Sequence, residues 1–150
     1  FRSRGLGDVY KRQVEALRQQ IRALRLDERV RLLGEVDATT LSSCYAHADL
    51  FILASHHEGY GMALAEALAH ALPVLSTRAG AIPETVPEQA GILVPPGDSR
   101  ALADALARLL KEPELRRRLA IGAAAARAAL PDWEQAGARF AAEIHRIITP

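Results

Sequence analysis

Four short apolar runs, separated by stretches of helical period, constrain the fold of this chain more than any other feature. The runs are "VRLLG" (30–34), "DLFILA" (49–54), "PVLST" (73–77) and "GILVPP" (91–96). Runs without polar alternation mark strands covered on both faces, as in a parallel sheet. Between them the period changes. Val14, Leu17, Ile21 and Leu24 fall at steps of three and four, which predicts a helix over 14–25. Asp37 is placed to cap a second helix, whose Leu41, Cys44, Tyr45 and Ala48 share one face, so Cys44 is expected in the core. Further helices are predicted over 60–71, over 98–110 behind Asp98 as cap, over 113–130 and over 132–148, with a short turn at 83–86. Strands alternating with helices predict an α/β domain, a parallel sheet with helices on both faces. Ligands of such sheets sit beyond the carboxyl ends of the strands.

Composition removes several classes of function. Nineteen Lys and Arg face 18 acids, a net charge of +1, without the basic excess that a nucleic-acid binder uses. Basic residues do cluster near Arg18, Arg22 and Arg25 and again at Arg116, Arg117 and Arg118, as solvated helix faces commonly do. The single cysteine, Cys44, excludes an internal disulfide and fits a reducing, cytoplasmic setting. No apolar run approaches the ~18 residues that span a bilayer. The opening "RSRGLGDVYKRQ" resembles translated sequencing-adapter read-through. Residues 1–13 are therefore expected to be non-native or without order, and 14–150 to form the domain, with natural sequence continuing upstream.

The chemistry concentrates in "SHHEGYGMALAEALAHALPVLST" (55–77), at the carboxyl end of the second run. Glu58 and Glu66 stand there with seven residues between them. Gly59 and Gly61 let a ligand approach the backbone, and the helix start beyond them offers free N–H groups and partial positive charge to a phosphate or diphosphate. Glu66, about two turns on, can accept hydrogen bonds from a ribose diol, while Glu58 faces whatever the phosphate carries. A sugar nucleotide has that order of parts. A solvated helix glutamate beside an ordinary turn fits the spacing equally well.

The ordered series "EGYGMALAEALAHALPVLSTRAGAIPETV", "AGILVPPGDSRALADALARLL" resembles the C-terminal, donor-binding domain of retaining GT-B glycosyltransferases, the family-four-like group 1 enzymes. The resemblance covers about 14–148 and implies a Rossmann-like fold, here a partial, N-terminally truncated one. It implies that Glu66 binds the donor ribose, that Glu58 contacts the transferred sugar, and that amides around Gly59, Tyr60, Gly61 and Met62 hold sugar and phosphates. "GEV" matches the loop beside the base, with Val36 offering backbone contacts, and Gly80 and Ala81 match the loop after the next strand. The implied reaction transfers a sugar from a UDP- or GDP-sugar with retained configuration, without metal or cofactor. His56 and His57, adjacent in a loop, point apart and do not chelate together.

The resemblance also implies absent partners. These are an N-terminal acceptor domain, two strands of the sheet, and the Arg and Lys that grip the diphosphate, for which Arg78 and Arg12 are poor substitutes. Peripheral contact with the inner membrane face belongs to the same implication. Without the two strands, "VRLLG" is expected either to collapse beside "DLFILA" or to leave the domain weakly stable. "LPDWEQAGARFAAEIHRI" resembles the closing helices that pack the two domains together, so Trp133 is expected either to be more exposed than in the intact enzyme or to pack into the local core. Two other readings stay open, a sugar-nucleotide epimerase of the same plan and a nucleotide-binding module without chemistry.

Overall fold

The structure, a computed structural model, describes residues 4–128, 130 and 133–148, with side chains from residue 12 on except those of 133, 136 and 139. It divides into two units, Phe1–Ala38 and Thr39–Pro150. In the first, helix α1 (Arg4–Ala23) covers 14–23 of the helix predicted over 14–25, ends two residues earlier than expected and extends towards the N-terminus. Arg25 turns into the left-handed region (φ 54°). The Leu26 N–H then reaches back to the Ile21 carbonyl at 2.9 Å, and the Arg25 N–H to Arg22 at 3.0 Å. Such reversed bonds satisfy terminal carbonyls and stop a helix. The expectation for residues 1–13 falls partly on residues outside those described.

The strand predicted over 30–34 does not form. Those residues belong to no ladder, and Val30, Leu32 and Leu33 are 38%, 37% and 57% exposed. An apolar run becomes a strand only when a neighbour takes its backbone N–H and C=O groups. Collapse of this run into the sheet is likewise not seen.

The second unit carries the sheet. Strands β1 (Phe51–Leu53), β2 (Val74–Thr77) and β3 (Gly91–Val94) run parallel in that spatial order. Phe51 sits opposite Val74 and Val74 opposite Gly91, with Leu53, Ser76 and Leu93 in register two residues on. The alternation of side chains gives each face its own cover. Val74 joins Leu64, Leu68, Ile82 and Val86 from helices α3 (Met62–Ala69) and α4 (Ile82–Thr85) and their flanks. Leu75 and Val94 face the other way, onto Leu109 of α5 (Ser99–Lys111). Helix α6 (Pro113–Arg127) serves both sides, Leu115 and Leu119 joining Leu75 while Ala123 joins Val74. Complete burial of Leu64, Leu68, Leu75 and Leu109 contributes about 2 kcal/mol each by transfer from water. The predicted sheet with helices on both faces is therefore present, with the strands at 49–54, 73–77 and 91–96 trimmed to their paired cores.

Asp98 caps α5 as expected, accepting from the Ala101 N–H at 2.8 Å. Arg116 closes the other end of α5 by donating to the Leu109 and Leu110 carbonyls at 2.6 and 3.1 Å. Helix α2 (Ala38–His47) corrects the expectation for Cys44, which is exposed. Only the Tyr45 edge of that helix, with Ala48 just beyond it, packs on the core. Helix α7 (Trp133–Ile148) closes the chain with Phe140, Ile147 and Ile148 mostly exposed. The Trp133 side chain lies outside those described. Among the described residues no helix is long and apolar enough to cross a membrane.

Candidate functional site

Three loops leave the carboxyl ends of the strands, and side chains of β2 tie the first of them down. Ser76 and Thr77 are buried hydroxyls in an otherwise apolar strand. Ser76 Oγ donates to the Leu53 carbonyl at 2.6 Å and Thr77 Oγ1 to the Ser55 carbonyl at 2.5 Å. These bonds continue the sheet beyond the last paired residue of β1 and aim the loop at 54–61. The Ala81 N–H donates to the Glu58 carbonyl at 3.0 Å, and Thr85 Oγ1 to the Tyr60 carbonyl at 3.0 Å. The loop after β2 thus braces the loop after β1 at the glutamate.

Gly80 makes the bracing possible. Its φ is +54°, and a Cβ there would run into the Glu58 carbonyl oxygen. Gly61 then turns the chain into α3 from the left-handed region (φ 80°), with no side chain capping the helix. The first amides of α3 remain available to an anion. Helical spacing buries Leu64, Ala67 and Leu68 and leaves Met62, Glu66 and His70 on the outer face.

Glu66 accepts a hydrogen bond from the Tyr45 hydroxyl, which donates to Oε2 at 3.0 Å. The Tyr45 ring is stacked on Phe51 (centroids 5.8 Å apart) and on His70 (5.1 Å, 9° between planes). Partial burial, then the hydrogen bond and the charge of Glu66, push the phenol pKa up from 10.0 to about 12. Tyr45 therefore stays a donor across all ordinary pH.

Of the residues singled out from sequence, Glu58, Gly59, Tyr60, Gly61, Met62 and Glu66 share one loop-to-helix junction. Glu58 is half-buried, whereas Gly59, Tyr60 and Met62 are exposed. Val36 lies in the first unit, in irregular and exposed backbone. His56 borders a pocket of about 210 Å³ with Ser55, Thr77 and Asp98. Gly59 and Tyr60 border a wider one of about 690 Å³ with Ala81, Glu84 and Thr85. Sequence reasoning missed Tyr45 as the partner of Glu66 and the hydroxyls of Ser76, Thr77 and Thr85 as loop anchors. Two polar residues closing an apolar strand were the available signal for Ser76 and Thr77. No local pattern joins positions 45 and 66.

A helix-covered parallel sheet, with a glycine-bent loop feeding an uncapped helix at its carboxyl end, defines an α/β domain of Rossmann-like class. Comparison with known proteins narrows the class. The chain belongs to the family described as glycosyl transferases group 1, whose pattern matches residues 6–125. It is 36% identical over 102 residues to N-acetyl-alpha-D-glucosaminyl L-malate synthase of Bacillus anthracis, covering 67% of this chain and 26% of that protein. The C-terminal domain of a glycosyl transferase group 1 family protein from Francisella tularensis superimposes with a TM-score of 0.71 at 31% identity, covering 85% of this chain and 64% of that one. HepE from Anabaena, in complex with UDP and glucose, superimposes with a TM-score of 0.79 at 27% identity, covering 91% and 37%. The fold is the Rossmann-like α/β arrangement of GT-B glycosyltransferases. The chain spans about a quarter of the length of the curated relatives it matches.

Proposed function

We propose that this chain is the donor-binding part of a glycosyltransferase that moves a sugar from a nucleotide-diphosphate sugar to an acceptor hydroxyl with retention of configuration. The observation that carries the reading is the junction itself. Glu58 is fixed through its backbone in the loop, the uncapped start of α3 follows, and Glu66 stands on the outer face of that helix. Glu66 accepts from the ribose diol, the amides from Gly59 to Met62 hold the diphosphate and the sugar, and Glu58 positions the sugar and favours the positive charge that develops on it. Crystal complexes of HepE with UDP and with UDP-glucose support a uridine nucleotide over a guanosine one.

In the reaction the acceptor oxygen bonds to the anomeric carbon on the face from which the phosphate oxygen departs. The acceptor proton passes to the leaving diphosphate. The chain's own contribution is positioning and preorganised charge. A domain beyond this chain selects the acceptor, and any contact with a membrane face belongs to that larger protein.

Calorimetric titration with UDP, GDP and ADP, beside Glu66→Ala, tests the reading. One nucleotide is expected to bind. Loss of a charged acceptor for two hydroxyls weakens it at least about tenfold in the variant. Equal affinity for wild type and Glu66→Ala would remove the ribose assignment.

A further inference from the structure

We infer that Tyr45 is a positioning residue for the nucleoside diphosphate, selecting the rotamer in which Glu66 meets the ribose diol. The inference rests on the ribose reading of Glu66 and adds to it a residue from a different helix.

Glu66 is exposed on the outer face of α3, where a free glutamate exchanges among rotamers. In a helix χ1 is restricted to two wells and χ2 to three, about six arrangements in all. Tyr45 removes that freedom. Its ring stacks on both Phe51 and His70, which restrain its hydroxyl on α2, and it donates to Glu66 Oε2 at 3.0 Å. A carboxylate has about four acceptor directions, and one hydroxyl takes one of them. Oε1 and the other side of Oε2 stay open to two vicinal hydroxyls. The phenol therefore does not compete with the sugar. It holds the carboxylate in place before the sugar arrives.

The size of the effect follows from the population of the competent rotamer. If the hydrogen bond keeps Glu66 in one arrangement and its loss leaves one in three to one in six, the apparent Kd rises by roughly three- to sixfold. The effect must vanish for a nucleotide that has no diol.

The experiment is calorimetry with UDP and with 2′,3′-dideoxy-UDP on the wild type, Tyr45→Phe, Glu66→Ala and the double variant. Phenylalanine keeps the ring stack, and far-ultraviolet dichroism with a thermal melt checks that each chain is folded. The expected result is a roughly three- to sixfold weaker UDP affinity in Tyr45→Phe. Dideoxy-UDP should be unchanged there, and Tyr45→Phe should add no loss in the Glu66→Ala background. If Glu66→Ala selectively loses UDP while Tyr45→Phe binds both nucleotides like the wild type, or loses both equally, Tyr45 does not position Glu66, although the ribose reading stands. If Glu66→Ala itself does not distinguish the two nucleotides, the ribose reading fails and the role of Tyr45 falls with it.

Discussion

Replacing Gly80 by alanine separates two costs that glycines usually mix. At φ +54° an alanine carries the left-handed penalty, about 1 kcal/mol. Gly97 pays only that. Its φ is +78°, and the nearest atom to an added Cβ is His56 Cε1 at 3.5 Å, an ordinary contact. At Gly80 the added methyl also meets backbone, the Glu58 carbonyl, which cannot rotate aside as a side chain would. Moving that loop costs about 1–3 kcal/mol as overpacking. It also breaks the Ala81 N–H bond to Glu58, worth about 1 kcal/mol. Both variants regain a few tenths from a stiffer unfolded chain. Gly97→Ala is therefore expected to lose about 1 kcal/mol and Gly80→Ala about 3–5 kcal/mol. Urea unfolding of the two beside the wild type measures the difference. Nucleotide titration of Gly80→Ala should show weakened binding, because Glu58 and the turn at Gly59 move together. If the two variants unfold at the same urea concentration, the two loops are not braced through Gly80 and the site is not built as described.

Asp98→Ala removes the one acceptor capping α5 and should cost about 1 kcal/mol in urea unfolding, with Asp98→Asn restoring most of it. The Tyr45 phenol predicts an alkaline signature. Its proton is held to about pH 12 in the folded chain, against 10.0 for the ordinary group, so between those values the unfolded state binds fewer protons than the folded one. The stabilisation is complete below about pH 10 and disappears as pH rises through about 12. With the ring only partly buried it amounts to on the order of 1 kcal/mol after solvent screening. Wild type minus Tyr45→Phe stability, followed by urea unfolding from about pH 9 to about pH 12, should decline through that window. A flat difference would deny that burial and the Glu66 bond together hold the phenol proton.

Strands β1 to β3 were legible because each run carries both the local signal and its partners. "DLFILA", "PVLST" and "GILVPP" pair with one another, and the two faces of Val74 and Leu75 meet helices from the same unit. "VRLLG" carried the same local signal without a ladder partner, and it stayed irregular. Apolar content predicts that a segment seeks burial. It does not say whether a neighbour exists to receive its hydrogen bonds. Cys44 misled for a related reason. Period alone placed it with Leu41 and Tyr45, but only the Tyr45 edge of α2 packs on the core.

The site shows the same division at finer scale. The glycines and glutamates of 58–66 could be read because they lie in one stretch, where a turn and a helix period fix their order. What holds them in place comes from elsewhere in the chain, namely Thr77 to Ser55, Ala81 to Glu58, Thr85 to Tyr60 and Tyr45 to Glu66. Each of these bonds spans more than 20 residues and uses a hydroxyl or an amide, groups that occur everywhere and carry no pattern. The residues proposed to touch a ligand are thus readable in one dimension, while those that hold them in place become visible only once the chain is folded. It follows that variants at Tyr45, Gly80 and Thr85 should alter affinity while leaving the E-x7-E pair intact. A survey confined to the motif residues would miss them.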